Sequence, residues 1–174
     1  MSLGETLQLL SPELILLLTG LVVLCVDFIW RDDEAAMTQH RRPKDIWVPA
    51  LGLVGLAAAL VATILLWGTS PTPVLSMMAV DPFALFFKVV AIGCVMLVIL
   101  AAVPYLSGRT RYRGEFYALV IFACLAISLA SASINLISVY LAMEFLSITS
   151  YVLAGYLRGD VKSTEAGIKY FLYG

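Results

Sequence analysis

The sequence predicts an all-α, polytopic transmembrane helix bundle, with five full spans, the start of a sixth and the N-terminus outside. Three observations carry this prediction. Of the 174 residues, 61% are hydrophobic and 13% charged, and the mean hydropathy is +0.97. A soluble domain carries about 25% charged residues, so this chain has too little polar surface to stay dissolved. The apolar residues also gather in tracts long enough to cross a bilayer, and the basic residues fall in alternate connections between those tracts.

A hydrocarbon core of about 30 Å takes roughly 20 apolar residues as helix. Such spans run at about 11–30, 46–68, 82–106, 115–132 and 135–157. In the first, Glu5 and Glu13 precede the apolar core, with no basic stretch and no small-residue cleavage site, so it reads as a retained span and not a removed leader. The third opens on Asp81-Pro82, a helix cap followed by a proline at the first helical position. The fourth and fifth come from one apolar tract, 116–157, which as a single helix would be about 63 Å long, twice a bilayer. It must turn, and "SASIN" (131–135) is the place. A sixth helix starts near Ser163, as its N-cap, and runs to Gly174, only about 18 Å. Residues 1–174 thus read as one transmembrane domain.

Nine of the eleven Lys and Arg residues lie in alternate loops: Arg31, Arg41, Arg42 and Lys44; Arg109, Arg111 and Arg113; Arg158 and Lys162. The connections at 69–81 and 131–135 hold none. The positive-inside rule then puts the basic loops in the cytoplasm and supports the split of the 116–157 tract.

Several function classes drop out. A net charge of -1 without a basic tract gives no basis for nucleic-acid binding. Cys25, Cys94 and Cys124 lie in separate apolar runs without CxxC spacing and read as small packing residues. His40, the one histidine, sits in a charged loop, which argues against a His-based metal site. No GxGxxG or other nucleotide loop is present.

The remaining chemistry lies in ionisable residues inside apolar sequence. Lys88 sits about 10 Å into the third span, either snorkelling to the outer interface or belonging to a polar pathway. Lys169 follows Glu165 by four residues, the favourable order for a helical ion pair. Glu144 lies fourteen residues before Arg158, about 20 Å from the cytoplasmic helix end and close to mid-membrane. A carboxyl there costs several kcal/mol, and such residues usually face a bundle interior or a water path. Helical spacing sets Ser133, Tyr140, Ser147, Tyr151 and Gly155 on its face, a polar or small stripe on which Tyr140, Ser147 and Tyr151 could order water. Glu144 reads either as a proton-binding site or as interhelical glue. Lys169 lies about 10 Å from it in depth, too far for a direct bridge. At that separation and an effective dielectric of about 20 the coupling is about 1.7 kcal/mol, enough to tune a proton site.

The segments "PELILLLTGLVVLCVD", "VDPFALFFK", "GEFYALVIFACLAISLASASINLISVYLAMEFLSITSYVLAGY" and "STEAGIKYF" resemble the subunit N family of proton-translocating NADH-quinone oxidoreductase, respiratory complex I, whose members are related to cation/proton antiporter subunits. The likeness runs from about residue 10 to the end and is most specific over 114–174. "PEL" and the short N-terminal part favour this family over its two antiporter-like sisters. The resemblance implies that Glu144 is the buried carboxylate of a proton channel and that Lys169, on the next helix, is its partner. It implies a multi-pass protein of the cell inner (plasma) membrane, partnered by the bilayer and by other membrane-arm subunits. Quinone, NADH, FMN and iron–sulfur clusters would belong to the assembled complex, with none in this chain. Members of the family have many more spans, so this chain reads as the N-terminal portion of a longer subunit. The alternatives are a subunit of a multisubunit cation/proton antiporter and a non-transporting membrane scaffold.

Overall fold

A computed structural model describes residues 3–29, 44–74, 76–106, 109–110 and 113–174. The expectations on Arg31, His40, Arg41, Arg42 and Arg111 lie outside these residues. The element order is α1 (Leu3–Leu9), α2 (Ser11–Ile29), α3 (Lys44–Leu65), β1 (Thr72–Val74), β2 (Met78–Val80), α4 (Pro82–Leu106), α5 (Arg113–Ala132), α6 (Leu136–Ala154) and α7 (Val161–Tyr173). Five of these helices, α2 to α6, are long and apolar enough to cross a membrane. They match the five predicted spans, with the second and fifth shorter at their C-terminal ends.

Local chemistry explains the boundaries. Pro12 lacks the N–H that would bond the Gln8 carbonyl, and the Ser11 hydroxyl donates to that carbonyl instead, at 2.7 Å. The chain therefore passes from α1 into α2 with little interruption. Asp81 caps α4 as expected, its Oδ1 accepting from the Ala84 N–H at 2.7 Å. The "SASIN" turn falls between α5 and α6, and Asn135 caps α6 by accepting from the Ser138 N–H at 2.8 Å.

The α7 cap differs from the expectation. Asp160 is the N-cap, accepting from the Lys162 N–H at 3.0 Å. Ser163 already lies inside the helix, and its hydroxyl ties the α6–α7 turn, accepting from the Leu157 N–H at 3.2 Å and donating to the Ala154 carbonyl at 3.0 Å. Both residues are good caps; the turn needs the serine elsewhere.

Helix α5 is the hub. It packs against α2, α3, α4 and α6, and α2 and α4 also pack on α3. The core between them is built from Leu16, Leu56, Ile92, Ile99, Tyr117, Ile121 and Cys124. Thr19 lies so close to Gly55 that any side chain at 55 would overlap it, which lets α2 and α3 approach. Of the cysteines, Cys124 packs in the core as expected, whereas Cys25 and Cys94 lie on exposed faces.

The 69–81 connection holds a β-hairpin that the sequence reading did not contain. Its strands pair antiparallel, Thr72 with Val80 and Val74 with Met78. Val74 and Val80 turn inward onto Leu66 and Leu85, with Leu9 and Leu10 alongside. Its tip fastens the α5–α6 turn. The Met77 carbonyl accepts from the Ile134 N–H at 3.0 Å and from the Ser138 hydroxyl at 2.9 Å, while Met78 bridges to Ser133.

Candidate functional site

Glu144 stands eight residues after Leu136 and ten before Ala154, so it lies about 12 Å and 15 Å from the two ends of α6. The mid-span depth expected of it is therefore that of the helix. One face of α6, carrying Ala142, Phe145, Thr149 and Leu153, is turned to the core around α5. At 3.6 residues per turn Glu144 projects well away from that line, and it is exposed. The described bundle therefore does not enclose this carboxyl, which differs from the interior position expected of an intramembrane acid.

The Glu144 stripe is nonetheless a packing face. Tyr140, Ser147, Tyr151 and Gly155 share it, whereas Ser133 falls before the helix start and does not. Helix α7 runs back along the far end of this stripe. The Tyr151 ring meets those of Tyr170 and Phe171 edge-on at 4.8 and 5.8 Å. A Cβ on Gly167 would stand 2.7 Å from the Gly155 Cα, so the two backbones touch. The Ser150 hydroxyl and Tyr170 hydroxyl lie 3.4 Å apart. Tyr151 is thus held by rings of α7, while Tyr140 is exposed.

Lys169 is 62% exposed and pairs with Glu165 at 2.5 Å, the intrahelical bridge its spacing suggested. Since Tyr170 stands level with Tyr151, Lys169 lies about 12 Å along the axis from Glu144, without direct contact. Coupling between them has to be electrostatic at long range or carried by intervening water.

The position of Lys88 departs from the snorkelling reading. It does not snorkel: its residue exposure is 1%, and its Nζ forms an ion pair with the Glu13 carboxylate, itself 5% exposed. Glu13 was missed as a partner. Its signal was depth, since Glu13 stands about 3 Å into α2 and Lys88 about 9 Å into α4, both measured from the hairpin end. Among the described residues, no group of three His, Cys, Asp or Glu side chains is placed to hold a metal ion.

The helices define a multi-pass membrane protein, with a carboxyl at mid-span on an open packing face. The family described as "NADH:quinone oxidoreductase/Mrp antiporter, TM" matches residues 133–174, which comprise α6, α7 and the turn before them. NADH-quinone oxidoreductase subunit N of Dehalococcoides mccartyi is 37% identical over 97% of this chain and 32% of its own length. The subunit N of Trichlorobacter lovleyi is 32% identical over 97% of this chain and 32% of its own. That of Heliobacterium modesticaldum is 32% identical over 96% and 34%. The chain is therefore similar to NADH-quinone oxidoreductase subunit N over nearly all its residues, and it spans about a third of the length of these relatives.

Proposed function

We propose that the chain forms part of a proton-translocating membrane subunit of NADH-quinone oxidoreductase, in which Glu144 binds the transported proton and Lys169 tunes its affinity. The observation that carries this reading is a carboxyl at the middle of an apolar helix, in the segment that matches the transporter family. A carboxyl in a bilayer centre is costly and is retained where it does work. Helices packed on the open face of α6 would complete its enclosure, with Tyr140, Ser147 and Tyr151 ordering water beside it. The electrons would pass through quinone, NADH, FMN and iron–sulfur centres on other subunits, and the energy would reach this chain through its membrane-arm neighbours in the cell inner membrane. The alternation of basic loops supports a cytoplasmic position for them and an outside N-terminus.

The test is Glu144→Gln in the chain as its own cell makes it. Reconstituted vesicles should move fewer protons per electron passed from NADH to quinone, with the subunit assembled in normal amount. An unchanged ratio removes the role. The matched family also covers Mrp antiporters, which favours cation/proton exchange as the second reading. Sodium-dependent proton exchange without electron flow would select it.

A further inference from the structure

Glu13 and Lys88 are buried at 5% and 1% in different helices and touch each other. Neither Glu13 carboxylate oxygen, nor Lys88 Nζ, makes a well-aligned hydrogen bond to any described group, so charge contact is all that compensates them. A buried ion pair without further hydrogen bonds repays little of its desolvation, so it is weak as a source of stability. Among the described residues the other buried polar side chains are Thr63, Ser128 and Thr149, so no second carboxyl, amine or imidazole is buried in the bundle. The hairpin end of the bundle is closed by an apolar cluster of Leu66, Val74, Val80 and Leu85 with Leu9 and Leu10. Beyond it, the buried line of α4 runs Ala91, Ile92, Val95, Ile99, Ala102 and Leu106. The buried line of α2 runs Leu16, Gly20 and Val23. No polar side chain lies on either line.

We propose that Glu13 and Lys88 form a buried, electroneutral lock that fixes the relative height of α2 and α4, two helices that each pack on α3 and α5, and takes no part in proton movement. The two charges function as a unit, so that the fold requires both or neither. Any other register of the two helices leaves a lone buried charge on each, and this penalty for misalignment is what the pair contributes. Lys88 is then removed from the candidate pathway, and the inference stands whether or not the transport reading is correct.

The experiment is a double-substitution cycle in the chain as its own cell makes it. Glu13→Gln alone leaves a buried cation, and Lys88→Met alone a buried anion; each should reduce the amount of folded subunit in the membrane at least tenfold. Glu13→Gln with Lys88→Met should restore that amount to within about twofold, with an unchanged number of protons moved per electron. The exchanged pair, Glu13→Lys with Lys88→Glu, should recover more than either single charge reversal. Single variants that accumulate normally, or a double variant that stays as depleted as the singles, overturn the lock. A double variant that accumulates but moves fewer protons puts the pair in the transport path and overturns its exclusion. Abundance is read without any transport assay, so its outcome is separate from that of Glu144→Gln.

Discussion

The rings of Tyr151 and Tyr170 meet edge-on at 4.8 Å and set α7 against the stripe of α6 that carries Glu144. The candidate proton site and the candidate tuning lysine are thereby placed on two helices that share one interface.

Gly167→Ala should loosen α7. Alanine is the better helix former by up to about 1 kcal/mol. Its Cβ, however, would press on the Gly155 Cα at 2.7 Å, and backbone cannot rotate away as a side chain can. Overpacking typically costs about 1–3 kcal/mol, so the steric effect wins. Hydrogen exchange should quicken in α7 with Gly167→Ala and stay unchanged in α2; equal exchange in parent and variant contradicts the close approach.

Lys169→Met should leave the quantity and thermal resistance of the subunit unchanged. The bridge to Glu165 is exposed, and such pairs contribute about 0.3–0.5 kcal/mol at most. Any fall in protons moved per electron then reports on the charge itself. A marked loss of folded protein would show that the bridge matters more than its exposure allows.

Asn135→Ala should unfasten the start of α6. The substitution removes a cap that accepts from the Ser138 N–H, a loss of about 1 kcal/mol. Ser138→Ala removes the hydroxyl that donates to the Met77 carbonyl, about another 0.5–1.5 kcal/mol. Hydrogen exchange should quicken at residues 136–139 in both and stay unchanged in α2; uniform quickening would indicate global loss instead.

Ser76→Gly should be neutral or stabilising. Ser76 holds a φ of 56°, in the left-handed region that costs a side-chain-bearing residue about 1 kcal/mol and glycine almost nothing. Melting in detergent should shift upward or not at all; a clear drop would mean that the hairpin tip depends on the serine side chain.

The long helices were legible because tract length and the alternation of basic loops report on each helix separately. The α5–α6 turn was legible for a related reason, since 116–157 is too long for one crossing. The hairpin was not. Its two strands have three residues each, and they exist because Val74 and Val80 find Leu66 and Leu85 across the bundle, a relation no local pattern announces. Glu13 and Lys88 are 75 positions apart, and reading each helix alone gives their depths but not the faces that bring them together. Glu144 shows the reverse case: its position along the helix was readable, while the face it presents depends on which neighbours pack there.

The fastening of Met77 to both Ile134 and Ser138 has a mechanical consequence. One carbonyl oxygen belongs to the link between the third and fourth helices, yet it grips the first turn of the helix bearing the mid-span acid. The link and the first turn of α6 are thus one mechanical unit, about 12 Å along the axis from the carboxyl.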